Sequence, residues 1–370
     1  MVFLIAVIDG ARALAVDPVA CGGHLLSYCL LGIAKIGSMS LDRRMGTRCG
    51  RPFPIYENLV PELLAAHTPD RAQRDATLAH VLGIAAGYAY SDVETLSTIM
   101  SRVGLEDHAC VRVAQTVDAM YIYSTAYLVQ SGCGRVVILA YRGTEPTNLG
   151  NWLADADIGT ASLTLGNEAV GVHAGFYRNV RATRAGVIDQ LRLALNGKSV
   201  SAPDQPLEYP MQDLYVTGHS LGGAMAALFS LTLAASAEHS AIADTLRAVY
   251  TFGQPLTAGE PLPEVAHAIA RKTFRHVNTG DLVPALPPAA WGRFAHFGRE
   301  YRYGDGAWRE SDTPVAQLES VRELPRSLFA LFAPEKSREA ARYSMSRHAP
   351  HHYIEALRPK GRVTEFGDQE

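Results

Sequence analysis

Apolar positions divide the chain into stretches with two different periodicities. Residues 75–103 repeat apolar positions at helical spacing, which predicts two helices, the second capped by Ser91 or Asp92. From about residue 111 the chain is rich in β-branched and aromatic residues, which is typical of strands. The stretch "RVVILAY" at 135–141 contains a continuous apolar run, as expected of a strand that is buried on both faces.

Strands and helices alternate further along the chain. The predicted strands lie at 214–218, 248–253 and 273–278, and the predicted helices at about 175–196, 221–237, 315–333 and 349–358. Alternation of this kind predicts an α/β fold in which helices cover both faces of a mainly parallel sheet.

The N-terminal part of the chain has a different amino-acid composition. Residues 1–74 are apolar at first and then rich in Arg and Pro over 41–75, which predicts an extension and a connector ahead of a main domain at 75–370. Residues 18–34 contain no Asp, Glu, Lys or Arg, yet the run is short for a membrane span. We interpret it as a buried or interfacial segment, with a true span or a cleaved signal as the alternatives.

Composition and charge narrow the function classes. The 370 residues are 48% hydrophobic and 19% charged, which is typical of a globular protein rather than a disordered one. The 34 basic and 37 acidic residues give a net charge of −3, and no basic stripe interrupts this balance. A nucleic-acid partner is therefore not expected.

A glycine-rich turn joins the strand at 214–218 to the helix at 221–237. It reads Gly218-His219-Ser220-Leu221-Gly222, which is the G-x-S-x-G pattern in the strand–turn–helix setting that gives the pattern meaning. Small residues two places from the serine let strand and helix approach closely, and the turn exposes the hydroxyl at the end of the sheet. We predict that Ser220 is a nucleophile; the simpler interpretation is a turn without chemistry.

A serine hydroxyl is a weak nucleophile, so it needs a base, and the base needs an acid to orient it. In this type of site the chain order is Ser, then Asp or Glu, then His. Asp281 follows the predicted strand 273–278 in a loop between glycine and proline, although an Asp beside Gly280 is also a common turn residue. The candidate bases are His296, His348, His351 and His352.

A serine nucleophile that attacks a carbonyl group also needs two donors for the oxyanion. One candidate is the backbone N–H of Leu221, directly after the nucleophile. The other is Thr144, because the strand at 135–141 ends in Arg142-Gly143-Thr144. This chemistry requires no metal and no organic cofactor.

Two further segments have apolar faces at helical spacing. In 148–157 the face consists of Leu149, Trp152, Leu153 and Ala156, and it predicts a helix at the mouth of the site that is either a lid or a fixed core helix. We assign Leu149, Trp152 and His219 to substrate binding. A helical insertion at about 305–345 has a stripe of Leu324, Leu328, Leu331 and Phe332, which belongs either to a cap over the site or to a helix behind the sheet.

Four sequence blocks and the C-terminal stretch resemble the class 3 lipases, the family that includes the fungal triacylglycerol lipases of the α/β-hydrolase fold. The matching stretches, within about 75–358, are "YRGTEPTNLGNWLAD", "VHAGFY", "TGHSLGGAMAAL", "NTGDLVPALPP" and "RHAPHHYIEAL". The resemblance implies an α/β-hydrolase fold, a triad of Ser220, Asp281 and His348, and oxyanion donors at Thr144 and Leu221. It also implies a lipid or other ester substrate, met through transient contact with a lipid interface.

The sequence leaves three other interpretations open. A phospholipase A1-type or other acyl-ester hydrolase would use the same triad. A binding protein of the hydrolase fold would have lost a triad member, and all three are present. A membrane-anchored protein would use residues 18–34 as its anchor. The oligomeric state is not indicated by any pattern in the chain.

Overall fold

The computed structural model describes residues 53–65, 75–144, 159–234, 236–320 and 346–368. The helices are α1 Leu59–Ala65, α2 Ala76–Tyr88, α3 Val93–Val103, α4 Ala174–Leu195, α5 Leu221–Ala234, α6 Ser240–Thr245, α7 His267–Arg271 and α8 Pro350–Leu357. The strands are β1 Ala109–Val117, β2 Ile122–Gln130, β3 Val136–Tyr141, β4 Thr160–Leu165, β5 Glu168–His173, β6 Asp213–His219, β7 Leu246–Phe252, β8 Thr273–Asn278, β9 Arg299–Gly304 and β10 Ala307–Ser311.

Eight of these strands form one sheet in the order β1-β2-β3-β6-β7-β8-β9-β10. The five central strands from β3 to β9 run parallel, whereas β1, β2 and β10 add antiparallel edges. The remaining two strands, β4 and β5, pair with each other as a separate hairpin. The prediction of a mainly parallel sheet flanked by helices is therefore confirmed.

The strand β3 explains why the sheet has a hydrophobic core on each side. All six of its residues are buried, and their side chains alternate between the two faces. Val137 and Leu139 join the core beneath α4 and α5, and Ile138 joins the core beneath α2 and α3. A continuous apolar run is what a strand covered on both faces requires.

The last helix, α8, lies against α2 at close range. A Cβ atom added at Gly83 would lie 2.8 Å from Leu357 Cδ1, and one added at Gly87 would lie 2.7 Å from Ile354 Cδ1. The two glycines are four residues apart and so share one face of α2. This close approach fixes the position of α8, which begins two residues after His348.

The N-terminal boundary differs from the expected connector. Ile55, Tyr56 and Leu59 are buried in the core beneath α2 and α3. The Ile55 N–H donates to the Arg102 carbonyl over 2.8 Å, which ties this segment to the end of α3. Residues 53–65 therefore belong to the folded core, because their apolar side chains complete one face of the sheet.

The prediction that α3 is capped by Ser91 or Asp92 is confirmed, since the Asp92 carboxylate accepts from the Thr95 N–H.

The prediction of a helical insertion is wrong for its first part. Residues 307–311 form β10, and residues 312–320 contain no helix. Their backbone N–H groups donate to other segments instead of to the carbonyl four residues earlier, as they would in an α-helix. The Val315 N–H donates to Glu300 Oε2 over 3.0 Å, and the Leu318 N–H donates to the Ala285 carbonyl over 3.1 Å.

Several predictions lie outside the described residues. They are the extension up to residue 52, the apolar run 18–34, the helix at 148–157 and the stripe of Leu324, Leu328, Leu331 and Phe332. Within the described ranges no single helix has the length and hydropathy of a membrane span. Leu221–Leu233 and Ala237–Thr245, bent by 105°, pass that test only as a pair.

Candidate active site

Ser220 lies on the sharp turn between β6 and α5. Its φ angle is +58°, a left-handed conformation that non-glycine residues rarely adopt. A Cβ atom at Gly218 would clash with the Gly222 carbonyl oxygen, and one at Gly222 would clash with the Tyr141 carbonyl oxygen. The two glycines are therefore required by close backbone approach. The Ser220 N–H donates to the Phe252 carbonyl over 2.9 Å, which anchors the turn to β7.

Asp281 lies in the loop after β8 and is buried. Its Oδ1 accepts from the Val283 N–H over 2.9 Å. Its Oδ2 accepts from His348 Nδ1 over 2.8 Å and from the Tyr353 hydroxyl over 2.5 Å. Three donors therefore surround this carboxylate and fix its orientation toward His348.

His348 ends a single 3₁₀ turn, Ser346–His348, directly before α8, and it is buried. Because the Asp281 carboxylate can only accept, the hydrogen of the His348 ring resides on Nδ1. The other ring nitrogen, Nε2, then has its lone pair available to accept a proton. Tyr353 on α8 reinforces this arrangement, since its hydroxyl both donates to Asp281 and accepts from the Asn278 N–H over 3.1 Å.

The end of β7 brings the serine turn and the Asp–His pair together. Gly253 follows Phe252, whose carbonyl holds the Ser220 N–H. A Cβ atom at Gly253 would lie 2.7 Å from Asp281 Oδ2 and 2.8 Å from His348 Nδ1. Among the described contacts, Ser220 Oγ makes no hydrogen bond to His348. In hydrolases without substrate such a contact is often long and shortens when substrate binds.

The other three histidines have different surroundings. His296 is buried, its Nε2 donates to the Pro284 carbonyl over 2.7 Å, and burial holds its pKa well below the usual range. His351 and His352 lie on α8, with ring centroids 4.1 Å apart and ring planes inclined by 44°. Of the four candidate bases in the described part of the chain, His348 is the one whose ring contacts Asp281.

His219, which we assigned to substrate binding, has both ring nitrogens engaged inside the protein. Its Nε2 lies 2.6 Å from the His348 carbonyl oxygen, which can only accept, so Nε2 carries the hydrogen. Its Nδ1 therefore accepts from the Tyr90 hydroxyl over 2.9 Å. The ring is buried, and burial lowers its pKa well below the usual range. These contacts favour a positioning role for His219 over contact with substrate.

The two predicted oxyanion residues come from the serine turn itself and from the loop after β3. Leu221 is the first residue of α5 and is buried. Thr144 follows Gly143, where an added Cβ atom would lie 2.6 Å from the His219 carbonyl oxygen. The loop that carries Thr144 is therefore in direct contact with the residue before the nucleophile. Leu149 and Trp152, the other predicted substrate contacts, lie outside the described residues.

Sequence reasoning missed Tyr90. Its hydroxyl lies against Gly143, where an added Cβ atom would clash with it, and the same hydroxyl bonds to His219. Because His219 donates to the His348 carbonyl, Tyr90 links the loop before Thr144 to the His348 backbone. No pattern in the sequence marked this tyrosine, which lies between α2 and α3. The described ranges contain no cluster of three or more His, Cys, Asp or Glu residues that could hold a metal ion.

A serine on a strand–turn–helix elbow, beside a buried Asp–His pair at the carboxyl ends of parallel strands, defines the α/β-hydrolase fold. A model of the family Lipase (class 3) matches residues 138–291, from β3 to just past the Asp281 loop. The matched region is less than half of the chain, and through it the chain is similar to the class 3 lipases.

Individual curated proteins are also similar to this chain. The lipase of Rhizomucor miehei is 30% identical over 212 residues, which are 57% of this chain and 53% of that protein. Triacylglycerol lipase OBL1 of Ricinus communis is 30% identical over 217 residues, which are 49% of this chain and 40% of that protein. The chain therefore spans about half the length of the curated relatives it matches.

Solved structures of fungal lipases are also similar. The Rhizomucor miehei lipase propeptide complex aligns with a TM-score of 0.46 and 23% identity, over 65% of this chain and 72% of that chain. Lipase II from Rhizopus niveus aligns with a TM-score of 0.49 and 19% identity, over 68% of this chain and 89% of that chain.

Proposed function

We propose that the protein is a serine esterase of the lipase type, which hydrolyses carboxylic ester bonds of acylglycerol-type lipids. The observation that carries the proposal is the Asp281–His348 hydrogen bond of 2.8 Å beside the left-handed Ser220 turn. The names of the relatives, a lipase and a triacylglycerol lipase, support acylglycerols as the substrate class.

The mechanism is acyl transfer in two steps. His348 Nε2 takes the proton of Ser220 Oγ as the oxygen attacks the ester carbonyl, and the imidazolium then gives this proton to the leaving alcohol. Asp281 holds the ring in the required tautomer and stabilises its positive charge. Water, deprotonated by the same histidine, attacks the acyl-enzyme and releases the carboxylic acid and free Ser220.

The developing oxyanion accepts hydrogen bonds from the backbone N–H groups of Leu221 and Thr144. Leu221 opens α5, so its N–H is one of the four at the helix start that have no partner within the helix. The positive end of the helix dipole points at the same place, which favours negative charge there. Donors fixed in this way need no reorganisation during the reaction.

His219 and Tyr90 act as positioning residues. The His219 ring donates to the His348 carbonyl over 2.6 Å, so it holds the backbone of the base at a fixed distance from the serine turn. The Tyr90 hydroxyl donates to the other nitrogen of His219 and so fixes its tautomer. Neither residue exchanges a proton with substrate in this scheme.

The proposal is tested by replacing the nucleophile. Ser220→Ala should lower kcat on p-nitrophenyl esters by a factor on the order of 10⁶, and a fluorophosphonate probe should label the wild type but not the variant. Ser230→Ala is the matched control, because Ser230 is a buried serine within α5 whose hydroxyl bonds to the Ala226 carbonyl. Retention of a tenth of the wild-type activity by Ser220→Ala would refute the assignment.

A panel of substrates separates the alternatives among acyl-ester hydrolases. Triacylglycerols, phosphatidylcholine labelled at either acyl position, and p-nitrophenyl esters of graded length should be compared at equal enzyme concentration. Faster release from triacylglycerol is the expected result. Selective release of the first acyl chain of the phospholipid would instead indicate a phospholipase A1-type enzyme with the same triad.

A further inference from the structure

The turn between β1 and β2 exposes an unusual group of large side chains. Met120 is 53% exposed, Tyr121 47% and Tyr123 49%, and together they form what we call the hairpin tip, residues 118–123. In the described part of the chain the other exposed large hydrophobic residues, Tyr209, Val265 and Phe366, are far apart in sequence. Isolated exposed apolar side chains need no explanation, whereas three within four residues form a local apolar surface.

The backbone of the hairpin tip is held firmly while its side chains face outward. Asn179 on α4 is buried, and its Oδ1 accepts from the Tyr123 N–H over 2.9 Å. Tyr121 has a φ angle of +50°, a conformation that costs energy for any residue with a Cβ atom. The tip therefore presents its aromatic rings from a fixed support, which limits the entropy lost when they bind something.

The register of the sheet places the hairpin tip at the same end as Ser220. Ala126 of β2 pairs with Tyr141, the last residue of β3, and Tyr141 in turn pairs with Gly218, two residues before the serine. Ile122 is four residues before Ala126 and lies beyond the end of β3. At about 3.3 Å per residue, the tip projects roughly 13 Å past β3 on the active-site side.

The surroundings of the hairpin tip are positively charged. Residues 174–184 of α4 contain three arginines and no acidic residue. Arg178 donates to the Met120 carbonyl over 3.4 Å, and Arg181 is exposed one turn further on. The tip itself contains one acid, Asp118. Aromatic rings flanked by arginines suit a lipid layer, which has an apolar interior and phosphate groups at its boundary with water.

We infer that the hairpin tip inserts into a phospholipid surface and brings the active-site end of the sheet against it. The inference rests on the proposed function, because an enzyme for water-insoluble esters must work at a surface. A protein partner fits less well, since three side chains are far fewer than the 20 or so residues that each side of a standard protein interface contributes.

The test compares vesicle binding of the full chain with and without the tip side chains. The triple variant Met120→Gln, Tyr121→Asn and Tyr123→Thr keeps the backbone, because Asn tolerates the left-handed conformation and Thr suits a strand. Sedimentation with vesicles of phosphatidylcholine and phosphatidylglycerol should show at least about a tenfold loss of binding. Hydrolysis of a dissolved short-chain p-nitrophenyl ester should be unchanged.

Tyr209→Thr is the matched control, because Tyr209 is 40% exposed and its N–H bonds to the Cys133 carbonyl, at the opposite end of the sheet. Binding by the triple variant within twofold of the wild type would overturn the inference, as would an equal loss in Tyr209→Thr or a wild type that binds no vesicles. Arg181→Gln should weaken binding only where phosphatidylglycerol is present. Failure of the proposed function would appear separately, as absent ester hydrolysis and absent probe labelling in the wild type.

Discussion

The nucleophile and the acid–base pair lie at the same end of the sheet, yet they are assembled in different ways. The serine turn is local: five residues, 218–222, contain both the nucleophile and the glycines that shape its backbone. The acid–base pair is remote in sequence, because Asp281 and His348 are 67 residues apart and Asp281 and Tyr353 are 72 apart. Backbone sterics fix the first region, and hydrogen bonds and helix packing fix the second.

The difference teaches where each region is vulnerable. At the serine turn an added methyl group meets backbone atoms, which cannot move without disturbing β3 or α5. At the base, the position of His348 depends on α8 lying against Gly83 and Gly87 of α2. We therefore expect damage at the turn to lower stability, and damage around the pair to lower the rate while the fold persists.

Among substitutions that keep the nucleophile, the largest effect on rate is expected at the pair. Asp281→Asn keeps the size of the side chain but removes the charge that fixes the His348 tautomer, so kcat should fall by about 10⁴. The circular dichroism spectrum and melting curve should remain those of a folded protein. Asp312→Asn, an exposed Asp in the loop after β10, is the control. An Asp281→Asn variant within tenfold of wild type would mean that another acid orients the base.

The largest effect on stability is expected at the turn. Gly222→Ala would drive a methyl group into the Tyr141 carbonyl, and overpacking of this kind costs roughly 1–3 kcal/mol or more. Gly159→Ala is the control, since nothing lies within 4 Å of a Cβ atom at Gly159. Denaturant unfolding should separate the two variants clearly. Equal midpoints would show that the turn relaxes, and the proposed contrast between the two regions would then be lost.

The contrast also explains what the sequence could predict. The strand–serine–helix turn and its glycines were predictable, because the residues of the motif itself lie within five positions, 218–222. Asp281 was a candidate from chain order and from its place in the loop after the predicted strand 273–278, and four histidines remained open as the base from the residues themselves. The choice of His348 depended on the family resemblance, since the contact with Asp281 forms only when α8 folds back onto α2.

Other features were missed for two different reasons. Tyr90 carries no local signal, because its role depends on the distance to His219, 129 residues away. The β4–β5 hairpin did carry a signal, since Leu163, Leu165 and Val170 alternate with exposed positions around the Gly166 turn. The prediction of a helix near residue 315 was wrong, because the backbone N–H groups of Val315 and Leu318 donate to distant segments. Local helix propensity cannot reveal such contacts.

A smaller effect on rate should follow when the support of the pair is weakened. Tyr90→Phe removes the hydroxyl that fixes the His219 tautomer, and the loss of one hydrogen bond of about 1 kcal/mol corresponds to about fivefold in kcat. KM should be unchanged, because Tyr90 acts through His219 rather than on substrate.

Tyr88→Phe is a matched control for this variant. Tyr88 is two residues away, and its hydroxyl donates over 2.8 Å to Glu365 instead of to His219. A rise in KM with constant kcat in Tyr90→Phe would indicate direct substrate contact. Equal effects of the two substitutions would show that a general loss of stability is responsible.

A pH-dependent effect on stability is expected at β8, the strand that leads to the pair. His276 on β8 lies among aromatic rings, with centroids 5.5 Å from both Tyr250 and Tyr301, and burial lowers its pKa to about 3. In the unfolded chain a histidine has a pKa of about 6.5, so between these values the unfolded state binds the extra proton. The free energy of unfolding should therefore fall as the pH drops below about 6.5, by at most about 1.4 kcal/mol per pH unit for this residue.

His276→Phe should remove that contribution while keeping an aromatic ring in the cluster. Urea unfolding at a series of pH values from neutral to about 4 should give a shallower loss of stability than in the wild type. His267→Gln, which replaces an exposed histidine on α7, is the control and should leave the slope unchanged. Because β8 leads directly to Asp281, the wild type should also lose ester hydrolysis through unfolding at a higher pH than His276→Phe. Identical pH slopes for the two proteins would contradict a neutral, buried His276 beneath the acid–base pair.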